Sequence, residues 1–359
     1  MKKLLLALLL VLFYSFSYTQ NVTKNLVIVT LDGMRWQEVF GGVDSTILHD
    51  SKFTSDSTRL ISKFWDKDIL ERRKKLFPFL WGTVALKGQL YGNRALGDLV
   101  NTANQYWFSY PGYNELFTGF PDSMVNSNDK IPNKNINVLE FINHQKDFQG
   151  KVAVFATWDC FPYIFNKWRS GIIVNADTDS INFQNQNLRL INEMQFLTAK
   201  PLDERPDMLT YFAGREYLKE FHPKVLYIAF DETDDMAHAG LYDQYIKSAH
   251  AEDAMIADLW KTIQFMPEYQ GNTTLIITCD HGRGDQNKDQ WTSHGSDIPG
   301  SNQIWIAVIG PDSKPMGEVR GPSQLYQGQM ASTFAELLGF QFNPDHPVME
   351  PVYTILSKK

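Results

Sequence analysis

Asp280-His281-Gly282 stands at the end of the apolar run 274–279, and a carboxylate beside an imidazole suits cation binding or proton transfer. A second apolar run, 26–31, ends in Asp32-Gly33. A third, 225–230, leads into Asp231-Glu232-Thr233-Asp234-Asp235-Met236-Ala237-His238. Three runs thus deliver metal-type ligands from one end, where an open α/β sheet carries its chemistry. Asp234 and His238 are four apart, so a helical turn would put both on one face. His294, in Trp291-Thr292-Ser293-His294-Gly295, is the natural third ligand of that set. Asp32, Asp280 and His281 form a second set. Mixed His/Asp ligation suits zinc, with manganese as the alternative. Two such ions close together can clamp the attacking and leaving oxygens of an in-line displacement.

Taken singly, each residue has a plain structural reading. Asp32-Gly33 could be a turn, Asp234-Asp235 a solvated acidic pair, and His238 a helix cap. Their joint placement just beyond strand ends is what argues for a metal centre. His49, His144, His222, His250 and His346 have no such context and read as surface or packing residues. The candidate nucleophile is Ser109, ahead of the Pro111-Gly112 that opens a helical stretch. Backbone N–H groups at a helix N-terminus favour an anion there, and a cation would stabilise the serine alkoxide. A simple N-cap serine is the competing reading.

The elements that must position these residues follow from the alternation of apolar runs and helical patterns. It predicts an α/β chain, a three-layer αβα sandwich around a mostly parallel sheet. Strands are expected at 26–31, 88–91, 105–108, 152–157, 225–230, 274–279 and 304–309. Helices are expected at 69–86, 137–145, 241–266 and 329–338, the last capped by Gly339. The polar stretch 40–73 and the aromatic, amide-rich stretch 158–217 read as insertions over the strand ends within a single domain, 21–359. Trp158, Tyr163 and Trp168 in the second could stack on a base, although core packing is the commoner use of such spacing.

The first twenty residues differ. Met1-Lys2-Lys3, an uncharged apolar stretch over 4–13 and a polar end through Thr19 describe a secretory signal peptide, 1–20. The apolar part is too short for a membrane span, so a secreted or periplasmic protein without stable membrane insertion is expected. The formal net charge of -7 gives no electrostatic case for a nucleic-acid polymer. With 43% hydrophobic residues the chain can bury a large core. The only two cysteines, Cys160 and Cys279, make no disulfide framework and read as buried thiols or one bridge. Oligomeric state leaves no trace in the sequence.

These motifs resemble the alkaline phosphatase superfamily, in particular its nucleotide pyrophosphatase/phosphodiesterase-like branch. Val29-Thr30-Leu31-Asp32-Gly33-Met34-Arg35 is similar to that branch's first ligand strand. Ser109-Tyr110-Pro111 with Thr118-Gly119 resembles its nucleophile segment, Asp234 to His238 its Asp-x-x-x-His pair, and Asp280-His281-Gly282 its Asp-His-Gly. Residues 331–339 resemble a helix recurring across the superfamily. The resemblance implies Asp32, Ser109, Asp280 and His281 around one metal, and Asp234, His238 and His294 around the other. It implies Asn128 as a holder of a phosphate oxygen, and a phosphoserine intermediate in hydrolysis of a small-molecule phosphate ester.

Three departures bear on substrate. The nucleophile is Ser where that branch usually has Thr. His294 follows His281 closely, which is more similar to the phosphoglycerate mutase and phosphopentomutase branch. The Cys/Ser-x-Pro-x-Arg pattern of sulfatases fails at Tyr113. The expected activity is a dimetal phosphodiesterase or phosphatase. The alternatives are a phosphomutase, which an export signal disfavours, and a non-catalytic binding protein, which the intact ligand set disfavours. Arg35, Arg283 and Lys288 lie near the motifs and could reach a phosphate, with solvated surface charge as the plainer reading.

Overall fold

Strands buried on both faces need apolar side chains on both, and the central strands have them. The computed structural model describes residues 21–181, 184–200 and 203–356; the expected leader, 1–20, lies outside these. In chain order the strands are β1 (Asn25–Leu31), β2 (Gln89–Tyr91), β3 (Asp98–Asn101), β4 (Val152–Ala156), β5 (Ile173–Ala176), β6 (Val225–Phe230), β7 (Thr273–Thr278), β8 (Ile306–Ile309), β9 (Gly317–Glu318) and β10 (Ser323–Tyr326). Every residue of β1, β4, β6, β7 and β8 is buried.

The main sheet has the order β5-β4-β6-β1-β7-β8-β2-β9, and only β8 runs against the others. It is the mostly parallel sheet expected. One group of helices, Asp207–Phe221 and Tyr242–Phe265 among them, packs together on it, and Ser109–Thr118, Val138–Asn143 and Gln329–Leu337 form the other layer. Register does the essential positioning. β1 pairs with β7 through Thr30↔Thr278 and with β6 through Leu31↔Phe230. Carried on by two residues and one residue respectively, the same registers set Asp32 level with Asp280 and with Asp231.

Three expectations need correction. Residues 105–108 are not a strand. The Glu115 carboxylate accepts the Ala103 and Asn104 N–H groups, and Asn104 Oδ1 accepts those of Tyr106 and Trp107. Side chains therefore satisfy this backbone, and Trp107 adopts a left-handed φ of 53°. The nearby strand is β3, paired with β10 in a separate two-stranded sheet. The helix expected over 69–86 is broken. It stops at Leu76, Phe77 is forced towards extended geometry by Pro78, and Asp253 accepts the Phe79 and Leu80 N–H groups that open a π-helical turn, Leu80–Val84.

The stretch 158–217 is not wholly peripheral, because it supplies β5 at the sheet edge and the Asp207–Phe221 helix beneath β4 and β6. The stretch 40–73 forms three short helices, each begun by an aspartate cap: Asp44, Asp56 and Asp68. Gly339 has the positive φ, 81°, of the expected cap. Cys160 and Cys279 are buried free thiols. Among the described residues no helix is long and apolar enough to cross a membrane.

Glu115 ties the loop ahead of Ser109 to the last helix, since its carboxylate also accepts the Gly328 N–H and the Asn104 amide. It is fully buried. Glu115→Ala would strand these donors, and each buried donor left without a partner costs about 1–3 kcal/mol. The expected loss of unfolding free energy is about 3 kcal/mol or more, measured by urea titration. A loss below about 1 kcal/mol would show that water replaces the carboxylate.

Candidate metal centre

Asp32 and Asp280 are fully buried at the ends of neighbouring strands. Each carboxylate has one oxygen engaged and one without a partner. Asp32 Oδ2 accepts the Tyr113 phenol at 2.8 Å, and Asp280 Oδ1 accepts the Gly33 N–H at 3.1 Å. Asp32 Oδ1 and Asp280 Oδ2 have no hydrogen bond. Both orphaned oxygens face His281 Nε2, at 3.3 and 3.4 Å. Ser109 Oγ faces the same nitrogen at 3.4 Å. A tetrahedral zinc with bonds near 2 Å separates its ligand atoms by roughly 3.3 Å, so this set has the spacing of a coordination shell.

The ring of His281 is fixed for such a role. Its Nδ1 lies 2.9 Å from the Gly282 carbonyl and donates to it, leaving the Nε2 lone pair free. Burial, with the Asp234 charge behind it, pushes the Asp32 carboxyl well above the ordinary range. Burial and then the Asp32 charge do the same to Asp280. Buried anions in mutual repulsion, with their outer oxygens bare, match what a divalent cation would neutralise.

The second set starts from the Glu232–His238 helix. Asp234 Oδ2 lies 3.0 Å from His238 Nε2, one helical turn on. His238 Nε2 and His294 Nε2 are 2.8 Å apart, and His294 Nε2 is 3.8 Å from Asp234 Oδ1. His294 Nδ1 is 3.3 Å from the carbonyl of Trp107, which fixes the tautomer with Nε2 inward. The left-handed turn at Trp107 therefore serves both Ser109, two residues on, and His294 across the cleft. Burial, then the His281 ring, pushes the His294 imidazole far down, which favours the neutral form that binds a metal. Asp234 goes the other way. Burial would raise it, but Arg283, His294 and His238 together hold it well below the carboxylate range. The two sets share one wall, because Asp234, His281 and His294 also come within 4.8 Å of one another. The side chain of His238 is about half exposed and marks the open side of the centre.

Ser109 is the first residue of the Ser109–Thr118 helix. The helix sits close because Gly112 has no side chain: a Cβ there would stand 2.5 Å from the Asp280 carbonyl. Asn128 is brought beside the nucleophile, with its Oδ1 2.9 Å from the Tyr110 N–H it accepts. The helix N-terminus is thus partly satisfied internally, and the Asn128 amide nitrogen is the end left for a ligand.

The structure brings together all seven expected ligands: Asp32, Ser109, Asp234, His238, Asp280, His281 and His294. It does not bring the suggested cations to the substrate side. Arg35 is buried on Glu38, Lys288 pairs with Asp50 at the surface, and Arg283 is buried on Asp234. Trp158 and Phe161 meet edge to face, as do Tyr163 and Trp168, so these aromatics pack on one another. The contacts of two residues at the centre, Tyr113 on Asp32 and Arg283 on Asp234, escaped sequence reasoning. Tyr113 is four residues after Ser109 on the same helical face, a spacing that pointed to it. Arg283 reaches Asp234 across the fold, and no local signal announces that contact.

No curated protein matches the chain. A family model described as the Metalloenzyme superfamily matches residues 171–341, a span containing Asp234, His238, Asp280, His281 and His294. Solved structures share the fold at low identity. The alkaline phosphatase PafA aligns at TM-score 0.61 and 11% identity over 93% of this chain and 99% of its own. The lipoteichoic acid synthase LtaP from Listeria monocytogenes gives 0.58 and 13%, over 93% and 76%. A 2-O GAG sulfatase gives 0.55 and 10%, over 94% and 75%. The family match runs from β5 to the last helix, just under half of the chain, and the fold is one these solved structures share.

Proposed function

We propose that this protein is a phosphoric-ester hydrolase with a preference for diesters, acting through Ser109. The observation that carries the reading is the convergence of Ser109 Oγ and two orphaned carboxylate oxygens on His281 Nε2. Asp32, Asp280, His281 and Ser109 would hold one divalent cation, and Asp234, His238 and His294 a second. Zinc suits these donors, with manganese as the alternative. Bound there, two such ions would lower the pKa of hydroxyl and water and offset charge building on the phosphorus oxygens.

The chain's own residues set the geometry of the reaction. Ser109 Oγ attacks phosphorus in line; the new P–O bond forms as the ester bond to the departing alcohol breaks. Water then cleaves the phosphoserine and restores the hydroxyl. The Asn128 amide, beside Ser109, donates to a non-bridging oxygen. Tyr113 holds Asp32 in place from one turn further along the nucleophile helix.

The diester preference follows from charge. A monoester dianion carries one more negative charge than a diester and calls for an added cation. Arg35, Arg283 and Lys288 are all committed to carboxylates, and Asn128 is neutral. Sulfate esters are less well served, since Tyr113 occupies the position of the sulfatase arginine. The basic start and apolar stretch of residues 1–13 support action outside the cytoplasm, which disfavours a mutase acting on intracellular sugar phosphates.

Zinc-loaded protein is expected to hydrolyse bis(4-nitrophenyl) phosphate at least about ten times faster than 4-nitrophenyl phosphate, and Ser109→Ala to lose on the order of a thousandfold or more. Faster monoester cleavage would make it a phosphatase. Activity surviving in Ser109→Ala would remove the serine from its role. Stripping the protein with a chelator is expected to lower its melting temperature, and zinc to restore it, because a ligand bound only by the folded state adds about 2.7 kcal/mol at a hundred times its dissociation constant. An unchanged melt would count against the whole ligand assignment.

A further inference from the structure

Among the described residues Arg283 is the one fully buried cation at the centre, and the hydrolytic chemistry leaves it without a task. Its guanidinium uses all three nitrogens. Nη1 donates to Asp234 Oδ1. Nε donates to the Trp291 carbonyl at 2.7 Å and Nη2 to the Thr292 carbonyl at 2.9 Å. Those carbonyls belong to the short 3-10 turn Lys288–Thr292, which ends two residues before His294. The backbone of Arg283 itself follows Asp280-His281-Gly282 directly. One planar fork therefore joins Asp234 and the segment that carries His294 to the strand end that carries the inner ligands.

We infer that Arg283 is a positioning residue for the outer cation site, holding Asp234 and His294 at ligating distance through its forked hydrogen bonds. This rests on the reading that Asp234, His238 and His294 hold a cation. With Oδ1 taken by Arg283, Asp234 presents Oδ2, the oxygen already 3.0 Å from His238 Nε2. Gly33 leaves the room for this arrangement. A Cβ there would stand 2.5 Å from Asp234 Oδ1 and 2.6 Å from Arg283 Nη1, and its φ of 58° also favours glycine.

Charge and geometry make opposite demands at this position, which makes the inference testable. A guanidinium beside a cation repels it, so its charge alone weakens binding, and a neutral replacement would tighten the site. A positioning role predicts the reverse. An ammonium would keep the charge and lose the fork, since it cannot span a carboxylate and two carbonyls with one geometry.

The test is calorimetric titration of chelator-stripped full-length protein with zinc, on wild type, His238→Ala, Arg283→Lys and Arg283→Met. Wild type should bind two equivalents. His238→Ala should lose or weaken one, which identifies the outer site. Arg283→Lys and Arg283→Met should weaken that same equivalent about 10–100-fold and leave the other at wild-type affinity, as loss of an outer-shell partner commonly does. Far-UV circular dichroism and the urea midpoint of the stripped proteins control for folding. Should the Arg283 variants not fold, Gly33→Ala pries at the same contact and should weaken the same equivalent. Unchanged affinity for both equivalents in Arg283→Lys, or tighter binding in Arg283→Met, overturns the inference and leaves the dimetal reading standing. Fewer than two equivalents in wild type overturns both.

Discussion

Three carboxylates and three imidazoles crowd the ends of three neighbouring strands, and their repulsion and desolvation are the constraint from which the rest follows. Asp32 and Asp280 are removed from water with too few hydrogen bonds to repay the transfer, and Asp234 is repaid by Arg283 and His238. No surface accident would preserve such a cluster, because an isolated buried carboxylate costs several kcal/mol after relaxation. The sheet tolerates it by making the surroundings rigid. β1 lies between β6 and β7 with fully buried strands on both sides, so the three ligand-bearing ends have no freedom to spread apart.

Around this cluster the neighbouring groups divide the oxygens and nitrogens between structure and chemistry. Tyr113, the Gly33 N–H and Arg283 each occupy one carboxylate oxygen, and the carbonyls of Gly282 and Trp107 each occupy one imidazole nitrogen. What is left points inward. The partition fixes tautomers and rotamers, which is the preorganisation a metal site needs. Gly112 extends the same logic to the nucleophile, since only a glycine lets that helix reach the Asp280 backbone.

Much of this could be read from the chain. β1, β6 and β7 are buried on both faces, so each appears as an unbroken apolar run, and the ligands fall at their ends by sequence alone. Tyr113 was one helical turn from Ser109 and could have been found by the same spacing rule. β5 was hidden because Ile-Val-Asn-Ala is short, lies at an edge and is only half buried. Residues 105–108 misled in the opposite direction. Their aromatic character suits a strand, yet Glu115 and Asn104 had already claimed the backbone donors. The role of Arg283 depends on a partner 49 residues away, and periodicity carries no information at that range.

The reversed direction of β8 has a further consequence for how the centre is wired. A parallel neighbour for β7 would have sent the chain back to the opposite edge of the sheet before it could pair. Because β8 is antiparallel, the whole connection from Cys279 to Trp305 begins and ends on the ligand side. Two imidazoles from opposite halves of the centre, His281 and His294, thereby ride on one local excursion. The connection is long for a loop, and hydrogen bonds within it and to β3 hold its shape. The stretch beyond His294 is itself tied to the centre, because the Ser301 carbonyl accepts the Gly282 N–H at 2.7 Å, beside His281.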